Sequence, residues 1–129
     1  LALDEHFAIG NFIRDGLAGG PIHVGGDGTP FRSYLYAADM AAWLWTLLVR
    51  GSAGRAYNVG APTAISIADL AAKVGGLFGG EVRIARVATG APAERYVPDV
   101  SRARDELGLH AWIGLDDALT RTIQWHCPS

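Results

Sequence analysis

The sequence holds a single cysteine, Cys127, so no disulfide can close within the chain, and the thiol reads as an ordinary one near the end of the sequence. Long apolar runs are missing too. The longest candidate, Ala37 to Val49, carries Asp39 and gives way to Arg50, short of the roughly 18 residues that a membrane span requires. Neither sign of charge dominates: 11 Lys and Arg against 13 Asp and Glu leave a net charge of -2, with no bulk attraction to nucleic acid or an anionic membrane. The chain is expected to be soluble and cytoplasmic, and its partners must be sought in local sites. His6, His23, His110 and His126 are scattered without ligand spacing, and neither C-x-x-C nor H-E-x-x-H occurs, so no metal site is expected. Gly25-Gly26-Asp27-Gly28 follows a strand pattern but lacks G-x-G-x-x-G spacing and leads into another strand, which excludes the dinucleotide-binding turn. A G-K-[ST] phosphate loop is absent, and so is a G-x-S-x-G nucleophile elbow, which argues against a hydrolase.

What is present is enough apolar material, 50% of 129 residues, to build the core of one domain without staples or metals. The chain opens inside a helical pattern, Leu1-Ala-Leu-Asp-Glu-His-Phe-Ala-Ile, with no initiator Met, signal peptide or leading strand, as expected of a cut end. Ile9, Phe12, Ile13 and Leu17 place a helix over residues 5–18, stopped by Gly19-Gly20-Pro21. Ile22-His23-Val24 reads as a short strand and Gly25 to Pro30 as a tight exposed loop. Phe31 to Tyr36 then reads as a strand. Ala41, Leu44, Trp45 and Leu48 mark the apolar side of a following helix of about 12 residues, with Asp39 as its N-cap.

Tyr57-Asn58-Val59 has the pattern of a short buried strand belonging to a parallel sheet that this chain does not contain, with Asn58 fixing the turn after it. Ser66 caps a helix whose apolar face is Ile67, Leu70, Ala71, Val74 and Phe78. Glu81 to Val87 suits a half-exposed strand, and an Ala, Gly and Pro-rich loop follows. Asp99 or Ser101 caps a short helix ended by Gly108, and a last helix runs from Leu115 to Trp125, its start favoured by Asp116 and Asp117. The four tryptophans, Trp43, Trp45, Trp112 and Trp125, are expected in core and interface packing. Five helices among about four short strands argue for an α/β, or α+β-like, architecture with a thin sheet.

One stretch is more specific. Gly26-Asp27-Gly28, then Arg32, Tyr34, Tyr36 and Asp39, resembles the extended short-chain dehydrogenase/reductase family of NAD-dependent nucleotide-sugar epimerases and dehydratases. Phe12-Ile13 with Gly19-Gly20-Pro21, Tyr57-Asn58-Val59-Gly60, Asp99-Val-Ser-Arg-Ala and Leu107-Gly108 extend the resemblance over nearly the whole chain. It implies that residues 1–129 are the small C-terminal substrate-binding lobe of a Rossmann-type enzyme, with the NAD-binding domain preceding residue 1. The intact parent would bind NAD and oxidise the sugar of a nucleotide diphosphate transiently at C4. No cofactor is expected on this piece. The family's Y-x-x-x-K motif does not occur here, so the chain is assigned no catalytic residue.

The resemblance assigns Arg32 to the diphosphate of the substrate, a role that the planar fork of a guanidinium suits. Taken alone, Arg32 is equally a solvated strand residue or an ion-pair partner of Asp39. A second phosphate-binding Arg of many relatives falls on Thr89, and Arg95 is the basic residue that would supply its charge; otherwise Arg95 is surface solvation. Gly25 stands where several relatives stack an aromatic on the base. The expected partners are a nucleotide-diphosphate sugar, the Rossmann domain and a second copy in a homodimer, with neither nucleic acid nor membrane. A degenerate member that binds a nucleotide without turnover, or an oligomerisation module, remain the alternatives.

Overall fold

The structure, a computed structural model, describes Leu3 and residues 7–127. Helix α1 (Ala8–Leu17) leads to β1 (Ile22–Val24) and β2 (Phe31–Arg32), then α2 (Ala37–Arg50), β3 (Ile65–Ser66) and α3 (Ile67–Phe78). β4 (Val82–Ile84), β5 (Arg95–Tyr96), α4 (Ser101–Leu107) and α5 (Leu115–His126) complete the order. The expected helix over residues 5–18 is therefore present as α1, and its positions 5 and 6 lie outside the described residues.

Two small sheets carry the strands. β1 and β4 pair in parallel with Ile22 opposite Val82 and Val24 opposite Ile84. In the second sheet β2 is central, antiparallel to β3 and parallel to β5. The main core forms where α1 and α3 cover β1: Phe12, Ile13, Ile22, Val24, Leu70, Ala71 and Val74 are buried, and Leu119 of α5 joins them. Close approach of α1 and α3 depends on Gly16, because a Cβ there would stand 2.2 Å from the Phe78 ring. α3 begins as its sequence dictates, with Ser66 Oγ accepting the Asp69 N–H at 3.0 Å. A second core gathers Trp43 of α2 with Val100, Ala103, Leu107 and Leu109 around α4.

Four sequence expectations need correction. The strand expected over Phe31–Tyr36 pairs only at Phe31 and Arg32, because each flanking strand offers just two residues of ladder. Tyr57–Val59 pairs with none of the described residues and is not buried as expected: Tyr57 and Val59 are half-buried and Asn58 is exposed. Its side chain still ties distant segments, Nδ2 donating to the Asp99 carbonyl at 2.8 Å. The buried face of α2 is the opposite one: Trp43 is buried, whereas Ala41, Leu44, Trp45 and Leu48 are exposed. α2 is apolar nearly all round, so its period alone does not select the side that α4 covers. Of the four tryptophans only Trp43 is core, its Nε1 donating to the His110 carbonyl at 2.8 Å; Trp45, Trp112 and Trp125 are exposed.

Candidate functional site

The turn between β1 and β2 is held by Asp27, whose Oδ1 accepts both the backbone N–H of Thr29 at 3.0 Å and its hydroxyl at 2.8 Å. These two bonds hold the Asp27 carboxyl below the usual carboxylate range. Gly28 follows with φ +76°, and a Cβ on it would lie 2.8 Å from the Ala68 Cβ. The turn is thus pressed against the start of α3, where the Ala68 N–H donates to the Gly28 carbonyl and the Ile67 N–H to the Pro30 carbonyl, each at 2.9 Å. Gly28 is buried, so the loop expected to be wholly exposed is exposed only in part.

β2 leaves this turn and presents Arg32. Its guanidinium donates through Nη1 to the Phe31 carbonyl at 2.9 Å and through Nη2 to Glu94 Oε2 at 3.1 Å. The ion-pair partner is therefore Glu94 and not Asp39. Register explains the choice: Phe31 stands opposite Arg95 and Arg32 opposite Tyr96, so strand alternation places Glu94 and Tyr96 on the Arg32 face. Arg95 goes to the other face, its guanidinium carbon 5.3 Å from the centre of the Phe31 ring. The two basic residues singled out from the sequence lie on neighbouring strands but are directed to opposite faces of the sheet.

Asp39 is not a helix cap. Tyr36 occupies the N-cap position, and Asp39 is the third residue of α2, buried, with its carboxylate accepting the Ile113 N–H at 2.9 Å. Tyr34 and Tyr36 line a cleft of about 410 Å³ together with Met40, Arg121, Trp125 and His126. Burial pushes the Tyr34 hydroxyl pKa up. The Nε2 atom of His126 is the one buried side-chain nitrogen or oxygen without a hydrogen-bond partner among the described residues. A second groove of about 300 Å³ runs beside the glycine turn, bordered by Asn11, Phe12, His23, Asp27 and Pro30. Sequence reasoning did not single out Glu94 or His126: Glu94 needs the β2–β5 register to be seen, and His126 needs the cleft that α5 lines together with Ile9, Ile13 and the Tyr34–Tyr36 segment.

The glycine turn and the start of α3 do not form the pyrophosphate site of a dinucleotide-binding motif. Such a site needs free N–H groups at a helix start behind a glycine turn. Here the glycine turn opens into β2, and the Ile67, Ala68 and Asp69 N–H groups at the start of α3 are already taken by Pro30, Gly28 and Ser66. No group of three or more His, Cys, Asp or Glu that could hold a metal ion occurs among the described residues. No helix among them is long and apolar enough to cross a membrane.

Comparison with known proteins places these features in a family context. The model of the NAD dependent epimerase/dehydratase family matches residues 4–60. A dTDP-glucose 4,6-dehydratase of Streptomyces griseus is 30% identical over 121 residues, covering 92% of this chain and 37% of the relative. A trifunctional UDP-glucose 4,6-dehydratase/UDP-4-keto-6-deoxy-D-glucose 3,5-epimerase/UDP-4-keto-L-rhamnose-reductase of Arabidopsis thaliana is 31% identical over 121 residues, 92% of this chain and 18% of that one. Among solved structures, the Bordetella bronchiseptica enzyme WbmF in complex with NAD+ and UDP matches with a TM-score of 0.82 at 30% identity, over 94% of this chain and 36% of WbmF. The chain spans about a third of the length of the dehydratase and of WbmF, and less than a fifth of the trifunctional enzyme.

Proposed function

We propose that the chain is a member of the NAD-dependent epimerase/dehydratase family, whose model matches residues 4–60, and that residues 1–129 are the nucleotide-sugar-binding portion of a longer enzyme whose cofactor domain precedes residue 1. The longer protein is read as an epimerase or 4,6-dehydratase acting on a nucleotide-diphosphate sugar, with NAD supplying the transient oxidation at C4. No step of that oxidation is assigned to this chain. Its contribution is to hold the diphosphate and orient the sugar, which lowers the barrier by fixing geometry.

The observation that carries this reading is the state of Arg32. Its side chain is one-third exposed, one edge of the guanidinium is fixed by the carbonyl of its own strand, and a carboxylate already sits on another nitrogen. A group held this way is a ready anion site, and phosphate oxygens are the anions that a planar fork matches best. Arg95, one residue from Glu94 on β5, adds positive charge near the site without an assigned contact. WbmF, the solved relative of similar fold, was captured with UDP.

A second feature supports the missing domain. Leu44, Trp45, Leu48 and Val49 form an exposed apolar side of α2, while Tyr57–Val59, packed on the Trp43 core at the other side of the helix, has no strand partner among the described residues. A helix face and an unpaired strand-like segment together are what a parallel sheet covers in a βαβ unit. The same face favours an alternative, a non-catalytic nucleotide-binding or oligomerisation module that pairs with a second copy. Concentration-dependent sedimentation tests the pairing: a chain that stays monomeric at high concentration overturns the oligomerisation module.

The site itself is tested by isothermal titration of the folded chain with UDP, dTDP, CDP and GDP, repeated with Arg32→Ala and Arg95→Ala. Loss of a charge-assisted contact is worth about 1.5–3 kcal/mol, or roughly ten- to hundredfold in affinity. Arg32→Ala is expected to show that loss for the nucleotide class that binds, with a smaller effect from Arg95→Ala. Undiminished binding to Arg32→Ala overturns the assignment.

A further inference from the structure

We propose that Glu94 is a built-in competitor for the anion site of Arg32: its carboxylate occupies the guanidinium edge that a phosphate oxygen of the ligand takes, so binding exchanges one anion for another. This rests on the reading of Arg32 given above and adds a residue to it that regulates access.

Three observations deliver Glu94 to that position. The Phe31 N–H donates to the Glu94 carbonyl at 2.7 Å, which pins the backbone of Glu94 beside β2. Strand alternation then points the Glu94 side chain, and not that of Arg95, to the Arg32 face. Finally, Nη2 of Arg32 meets Oε2 of Glu94 at 3.1 Å. The carboxylate is loosely held: the Glu94 side chain is 78% exposed, and its contact to Arg32 is the one side-chain hydrogen bond it makes among the described residues. An exposed ion pair of this kind is weak, so a ligand bearing more than one negative charge displaces it at small cost.

The pairing has a consequence for charge. With Glu94 in place, Arg32 offers no net positive charge to an approaching diphosphate, and after displacement the free carboxylate still repels it. Both effects lower affinity, and both are screened by salt. Removing the charge while keeping the shape should therefore tighten anion binding, and do so most at low ionic strength.

The experiment is a double-mutant cycle with inorganic pyrophosphate and UDP as probes, using the whole 129-residue chain as wild type, Glu94→Gln, Arg32→Ala and the double variant. Circular dichroism confirms that each is folded, and Glu94→Ala serves as a second charge-removing variant. The expected result is that Glu94→Gln binds pyrophosphate about two- to tenfold more tightly than wild type at low salt. That gain should shrink as salt is raised and be clearly smaller on the Arg32→Ala background, where only the direct repulsion by the carboxylate remains to be removed. Unchanged or weaker binding by Glu94→Gln overturns the proposal, and if Arg32→Ala still abolishes binding, the reading of Arg32 survives it. An equal gain on the Arg32→Ala background also overturns it, since the carboxylate then acts on the ligand and not through Arg32. If neither wild type nor Glu94→Gln binds either probe, this proposal and the assignment of Arg32 fall together.

Discussion

Asp39 accepts the backbone N–H of Ile113 at 2.9 Å across 74 residues of sequence. The bond fixes the start of α2 against the segment that leads into α5. Asp39 is only 4% exposed, so removing the acceptor leaves the Ile113 donor without its partner in a partly buried place. Such a loss costs about 1–3 kcal/mol. Asp39→Ala is expected to lower the urea unfolding midpoint accordingly, and Asp39→Asn, which keeps an acceptor oxygen, to lower it less. A loss below about 0.5 kcal/mol for Asp39→Ala would class it with surface substitutions and remove the bond from any structural role.

Gly28 and Gly25 lie in one loop but carry opposite expectations. Gly28 combines φ +76° with a neighbour, Ala68, that a Cβ would approach to 2.8 Å. Nothing lies within 4 Å of a Cβ placed on Gly25, whose φ is outside the left-handed range. Gly28→Ala should therefore destabilise by at least about 1 kcal/mol, from backbone strain and displacement of the turn, and weaken nucleotide binding if the turn leads Arg32 into place. Gly25→Ala should stay within about 0.5 kcal/mol of wild type. Equal midpoints for the two variants would show that the turn does not depend on Gly28.

These residues also show how far the sequence could be read. α3 was legible throughout because Ser66, Asp69 and the apolar positions up to Phe78 all belong to one local signal, and the structure keeps every part of it. α1 and α5 were legible from periodicity in the same way. The inward face of α2 was not, because Trp43 on one side and Leu44, Trp45 and Leu48 on the other are equally apolar, and only the placement of α4 decides between them. Strand lengths failed for a similar reason: the Phe31–Tyr36 pattern continues past Arg32, but a strand ends where its ladder partners end. In the site, Arg32 and the G-D-G turn were readable as residues with a familiar spacing. Glu94 was not, since what brings it to Arg32 is a register between segments more than 60 residues apart.

The two sides of α2 should respond differently to substitution. Trp43 is wholly buried and holds the His110 carbonyl, so Trp43→Ala is expected to cost about 3–5 kcal/mol. Leu48 and Val49 are about three-quarters exposed. Leu48→Lys and Val49→Glu should each leave the thermal midpoint nearly unchanged while reducing self-association in sedimentation at high concentration. A large loss of stability from either would mean that this face is covered within the chain itself.

Glu106 of α4 contributes to the upper part of the acid limb of stability. Its carboxylate accepts Arg55 Nε at 3.0 Å and the Tyr57 hydroxyl at 2.8 Å, with a second contact from Arg55 Nη2. Hydrogen bonding from Arg55 first, then from Tyr57, holds the Glu106 carboxyl below its ordinary value of 4.5. A carboxyl depressed by folding stabilises the folded chain fully above its unfolded pKa, and that contribution is lost as pH falls through the lower folded value. The difference in urea midpoint between wild type and Glu106→Gln should therefore be constant above about pH 5 and close as the pH drops below 4.5. Asp27 and Asp99 are depressed in the same direction, by their bonds to Thr29 and Ser101, from an ordinary value of 3.8. They keep titrating in the variant, so Glu106→Gln should flatten the upper part of the acid limb and leave the lower part in place. A wild-type-to-variant gap that stays the same from pH 7 to pH 3 would mean that the tie between α4 and residues 55–57 does not depend on the charge of Glu106.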